Sequence, residues 1–188
     1  VAQYVTALGV ETTMRNLALL LAIFLVGGCS SKPLDREQAQ KNMQSQAGEV
    51  RQAMLKEDHR KMAELSHPML VENLGGTDQF VKKLTTMAAE MKGQGFRFVE
   101  IKLGEPSKLV EASGDLYGVI PFTLLMTGPG GKKGTTPSYL IAVSTDGGRT
   151  WKFLDGSGIA SDPSKLKVIL PNFPKELELP APRQPTWE

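Results

Sequence analysis

The chain has 188 residues, 40% hydrophobic and 22% charged, with a formal net charge of +2, two histidines and one cysteine. Near-balanced charge with no basic stripe excludes a nucleic-acid binder, and a single thiol excludes an internal disulfide or a C-x-x-C pair. Two histidines and one cysteine leave little from which to build a transition-metal site, so neither metal nor cofactor is expected.

Val1–Thr13 carries Glu11 and no Lys or Arg, whereas Met14-Arg15-Asn16 stands directly before ten apolar residues, Leu17–Val26. That run has the length of a signal-peptide core and falls short of the roughly 20 residues a membrane span needs. Val26-Gly27-Gly28-Cys29 follows. It resembles the lipobox of bacterial lipoproteins, in which an aliphatic residue and two small ones precede a lipid-accepting cysteine. The resemblance implies that Cys29 is the lipid attachment site, that residues 1–28 are upstream extension plus signal peptide with Met14 the expected start, and that residues 29–40 form the lipidated tether. The competing reading is a buried cysteine closing a core helix. Anchoring makes a membrane the first expected partner and the bacterial cell envelope the expected location. Ser30, in place of the aspartate that retains some lipoproteins at the inner membrane, favours the periplasmic face of the outer membrane in a cell with two.

From Arg36 the pattern is helical, with Met43, Ala47, Val50 and Met54 on one stripe at the 3.6-residue period. Asp58 is placed to cap a short helix from His59 to Leu65, and Ser66-His67-Pro68 reads as a stop and restart. After Gly75-Gly76, the positions Phe80, Val81, Leu84, Met87, Ala88 and Met91 form the clearest amphipathic helix in the chain.

Beyond Gly93-Gln94-Gly95 the period drops to two, which predicts strands at Phe96–Leu103, Lys108–Ala112, Leu116–Met126, Ser138–Ser144 and Thr150–Asp155. Pro121 inside the longest of them implies a bulge or an edge position. Asp162-Pro163 opens one last short helix, Ser164–Leu170, and residues 171–188 read as a Pro-rich tail, extended and loosely packed or free. Helices followed by strands predict an α+β domain over residues 41–170, with N-terminal helices on a strongly curved antiparallel sheet of about five strands. The expected core sets Phe80, Leu84, Met87 and Met91 against Phe98, Ile120, Phe122, Ile141 and Trp151, which would make Leu84→Ala cost about 2–5 kcal/mol.

Ser144–Trp151, STDGGRTW, matches the Asp-box of sialidase-type propellers, but one copy among five strands makes a hairpin turn and no propeller. Thr127–Thr136, TGPGGKKGTT, has the composition of a phosphate loop without its order, since Lys132 is followed by Lys133 and both flanks read as strands. His59 and His67 each open a short helix and read as surface or capping residues. No Ser-His-Asp set, paired carboxylates or metal-ligand spacing emerges. In the longest strand Tyr117 and Thr123 alternate to one face, and Tyr139 neighbours them across the ladder. These three are the pocket candidates, hydroxyls on an apolar wall suited to orienting a hydrophobic ligand.

LSHPMLVENLGG, MAAEMKGQGF, GDLYGVIPF, SYLIAVSTDGGRTWKFLDG and LPNFPKELELP together resemble bacterial exported proteins of the nuclear transport factor 2-like superfamily, across nearly all of Lys41 to Pro182. The resemblance implies a cone of helices wrapping a curved sheet around a pocket. It carries no catalytic residue onto this chain. Two functions stay open: a lipid-anchored envelope module that binds a small apolar ligand or an envelope protein without catalysis, or a small isomerase- or dehydratase-like enzyme with an acid/base in the cone.

Overall fold

The computed structural model describes residues 35–160, 164–181 and 183–188. The expectations for residues 1–34, Cys29 among them, and for the Asp162-Pro163 helix start lie outside the described residues. No helix among the described residues is long and apolar enough to cross a membrane.

Helix α1, Arg36–Lys56, opens after Asp35 and closes where Glu57 turns into the left-handed region at φ 54°. Its buried face is Ala39, Met43, Ala47, Val50 and Ala53, steps of three and four that keep one stripe inward. Asp58 accepts a hydrogen bond from the Lys61 N–H and starts α2, His59–Leu65. Helices α3, Pro68–Asn73, and α4, Thr77–Gly93, follow.

The strands are β1 (Arg97–Leu103), β2 (Val110–Ala112), β3 (Asp115–Thr127), β4 (Lys133–Ser144) and β5 (Lys152–Asp155), succeeded by helices α5 (Gly156–Ala160) and α6 (Ser164–Ile169) and a two-residue strand β6 (Thr186–Trp187). These strands pair antiparallel with one another, in the order β1-β3-β4-β5, with β2 also on β3 and β6 also on β4. The protein is therefore α+β, helices first and an open curled sheet after.

The β3–β4 register runs unbroken from Leu116↔Ser144 to Thr127↔Lys133, so Pro121 shifts nothing. Its carbonyl accepts the Gly104 N–H at 2.7 Å, which turns its missing donor toward the connector between β1 and β2, where no ladder bond is needed. The register shift lies in β1 instead, between Phe98 and Glu100.

Both faces of the sheet are covered. On one, α1 packs Ala39, Met43 and Ala47 against Ile120, Phe122, Leu140, Ala142, Trp151 and Phe153. Gly118 makes this approach possible, since a Cβ there would lie 2.6 Å from the Met43 sulfur. On the other, Tyr117, Val119, Tyr139, Ile141, Val143 and Leu154 meet Ile159, Ile169, Leu170 and Leu177 from the C-terminal segment.

Three expectations are corrected here. The α4 stripe does not build the core: Phe80 alone is buried, while Met87 and Phe98 are 48% and 38% exposed. Ile141 faces away from Ile120, Phe122 and Trp151, because residue 141 differs in strand parity from Leu140 and Ala142. The tail is not free: Leu177 is buried, and Trp187 lies on Gly134 with its ring 5.8 Å from that of Phe96. The Glu188 N–H donates to the Lys133 carbonyl at 2.9 Å, and the Glu188 carbonyl accepts from the Lys133 N–H at 3.1 Å.

Candidate functional site

Register places side chains in rows across the sheet, because directly paired residues share a face. Lys102, Thr123 and Pro137 make one such row, and Pro121 and Tyr139 the next. The outer edge of β4 is paired by β6 at Gly134–Thr135 and by β5 at Leu140–Val143. No strand among the described residues pairs Thr136–Tyr139 on that side, so a window opens between two short strands. Pro180, Ala181, Arg183 and Gln184 stand against this window ahead of β6, as a strap.

Between strap and window lies a cleft of about 790 Å³, reached by Lys102, Pro121, Thr123, Pro137, Tyr139 and Ser157 from the body and by Pro180, Ala181, Arg183 and Gln184 from the strap. Its size falls within the range of small-molecule sites. Gly156 is required at its inner end, since any Cβ there would overlap the Tyr139 ring. Burial, with a smaller contribution from Asp155, raises the Tyr139 phenol above its ordinary pKa. That hydroxyl is neutral across the physiological range.

The sequence candidates divide. Thr123 and Tyr139 both line the cleft. Tyr117 does not: it is 2% exposed, its ring meets Phe173 edge-on at 5.9 Å, and burial raises its phenol too. All three point to the face covered by the C-terminal segment, opposite the one covered by α1. Lys102, Arg183 and the strap went unnoticed in the sequence. Lys102 joins Thr123 only through the β1–β3 register, and nothing local marks Arg183 as reaching back to the sheet.

A second concavity, of about 380 Å³, runs along the helix side, lined by Met54, Met62, Leu84, Met87, Met91 and Phe98. Its polar groups are tied to neighbours. His59 Nδ1 is 2.9 Å from the Thr85 hydroxyl, Glu57 pairs with Lys92 at 2.6 Å, and Asp155 accepts from the Ser157 N–H at 2.7 Å.

The Ser144–Trp151 turn is closed by its aspartate. Asp146 accepts hydrogen bonds from the Thr150 hydroxyl at 2.6 Å, the Ser144 hydroxyl at 2.8 Å and the N–H groups of Thr150 and Arg149 at 2.9 and 3.0 Å. Burial alone would raise its pKa, but these bonds outweigh burial and hold it below the ordinary aspartate value. Helix α1 docks on the same turn: Asn42 donates to the Gly148 carbonyl, and Gln46 both donates to the Arg149 carbonyl and accepts the Trp151 N–H. These donors are consumed within the turn and its contact with α1, so the turn is structural. Pro129–Gly131, within the glycine-lysine loop, forms a single 3-10 turn between β3 and β4, and the loop makes a hairpin connection. His67 is half-buried, and burial, opposed by Asp115, lowers its pKa. Among the described residues no group of His, Cys, Asp and Glu side chains is placed to hold a metal ion.

Comparison of the chain with protein-family models, curated proteins and solved structures finds no match.

Proposed function

We propose that this protein is a lipid-anchored module of the bacterial cell envelope, held to a membrane through Cys29, which binds a small, largely apolar ligand without chemical turnover. The observation that carries the reading is the cleft under the strap, with prolines and a tyrosine ring for walls, hydroxyls for orientation, and neither histidine nor carboxylate among the described residues of its lining. General acid/base catalysis needs a group that titrates near the working pH, and a buried phenol with a raised pKa is not one. The alternative, a small isomerase- or dehydratase-like enzyme, would have to draw on His59, Glu57 or Asp155 in the helix-side groove. Each of those already has a hydrogen-bond or ion-pair partner, and Asp155, which also accepts from the Ser138 hydroxyl at the cleft's edge at 3.5 Å, is held by the Ser157 N–H. Helices preceding an open, curled sheet also support a nuclear transport factor 2-like cone.

Two experiments test the two halves. Metabolic labelling with a radioactive fatty acid should mark the wild-type protein and leave Cys29→Ala unmarked and released from membranes; an unlabelled wild type overturns the anchor. Native mass spectrometry of the full chain should show a bound small molecule that Thr123→Trp, which fills the cleft, removes. No adduct in the wild type, or one that survives Thr123→Trp, overturns the cleft as the binding site.

A further inference from the structure

Among the described residues that line the cleft are two cations, Lys102 from β1 and Arg183 from the strap, and no carboxylate. The competitor for Lys102 is Glu100, 3.6 Å away, with both side chains more than half exposed and Glu100 outside the cleft lining. An exposed pair of that kind is weak and readily exchanged. An anion entering the cleft therefore meets attraction from both walls, whereas the carboxylate nearest the lining, Asp155, is already engaged by the Ser157 N–H and the Ser138 hydroxyl.

The rest of the lining suits an alkyl chain for a backbone reason as well as a side-chain one. Pro121 and Pro137 on the sheet and Pro180 on the strap have no N–H, so an apolar chain laid over them strands no donor at those positions, a loss that would otherwise cost a hydrogen bond. Thr123, beside Lys102 in the same row, supplies a neutral donor at the boundary between the charged and apolar ends.

We infer that the cleft binds a single-chain amphiphile with an anionic head, the head held between Lys102 and Arg183 and the chain laid along Pro121, Pro137 and the Tyr139 ring. The inference rests on the binding-module reading and adds the class of ligand. A carboxylate and a phosphate monoester head present the same charge and acceptor oxygens, so both belong to the class.

The test uses the full chain in a non-ionic detergent and four probes of equal chain length: dodecanoate, dodecyl phosphate, dodecanol and dodecyltrimethylammonium. Each competes against a photoreactive analogue of dodecanoate, whose crosslinks are mapped by mass spectrometry. Crosslinks are expected in the segments around Thr123, Tyr139 and Ala181. At least one anionic probe should compete about tenfold or more better than dodecanol, a gap of about 1.4 kcal/mol, and the ammonium probe should not compete. The double variant Lys102→Gln/Arg183→Gln, altered only at exposed positions, should bring the anions down to the level of dodecanol, and added salt should do so in part. Equal competition by dodecanol and the anions, with crosslinks still in the cleft, overturns the anionic head and leaves the binding-module reading standing. Crosslinks mapping elsewhere, or surviving Thr123→Trp, overturn both.

Discussion

Among the described residues, α1 and α4 are the two long helices, and they differ in what they bury. Helix α1, the more polar in composition, hides Ala39, Met43, Ala47, Val50 and Ala53, while α4, with the cleaner apolar stripe, hides Phe80 alone. The difference lies in what each helix meets. The small residues of α1 let its backbone approach the sheet, Gly118 receives Met43, and Asn42 and Gln46 bond the Asp146 turn. Helix α4 instead runs beside α2 and leaves Leu84, Met87 and Met91 along an open groove. An apolar stripe states that a helix has a face to cover. Whether the face is covered depends on the partner opposite.

The largest expected effect comes from breaking the α1 side. Met43→Ala should cost about 2–5 kcal/mol, measured as a lowered denaturant midpoint with an unchanged slope. A loss like that of an exposed methionine would mean that α1 does not make the core. Next comes the turn that α1 docks on. Asp146→Ala strands the donors of Ser144, Arg149 and Thr150 and should cost about 1–3 kcal/mol.

The same aspartate gives a pH signature of definite sign. Because its folded pKa is depressed, its contribution is fully present above the unfolded value of about 3.9 and is lost as pH falls through the folded value. Wild type should therefore lose more stability than Asp146→Ala on acidification from pH 5 downward, and parallel curves would contradict the hydrogen-bonded carboxylate. His67, whose folded pKa is also lowered, should contribute a separate loss as pH falls below about 6.5. His67→Gln should flatten that upper part of the curve and leave the aspartate part in place.

The smallest expected effect is on α4. Leu84→Ala should cost about 1 kcal/mol or less, as a half-covered groove position does. A loss of several kcal/mol would erase the contrast between the two helices.

Much of the fold was legible in the sequence, because its causes are local. The Asp58 cap, the restart at Pro68, the change from a period near four to a period of two after Gly95, and the closed turn around Asp146 each follow from neighbours a few residues apart. The partition of the core was not legible in this way. Strand parity shows that Ile120 and Ile141 cannot share a face once the β3–β4 register is known, but the register is a property of two strands, set by a loop whose geometry the residues do not fix by themselves. The candidate site was legible by halves for the same reason. Thr123 and Tyr139 could be placed on one face from alternation, yet the cleft between them and Arg183 exists only because Pro180, Ala181, Arg183 and Gln184 stand against a window that β5 and β6 leave open. Composition and spacing determined the α+β class, the helix and strand types and the turn chemistry, since these rest on backbone preferences and contacts within one turn. Which helix enters the core, which face the tyrosines occupy and where the tail ends were decided by tertiary structure, because burial is a relation between segments that meet only when the chain has folded.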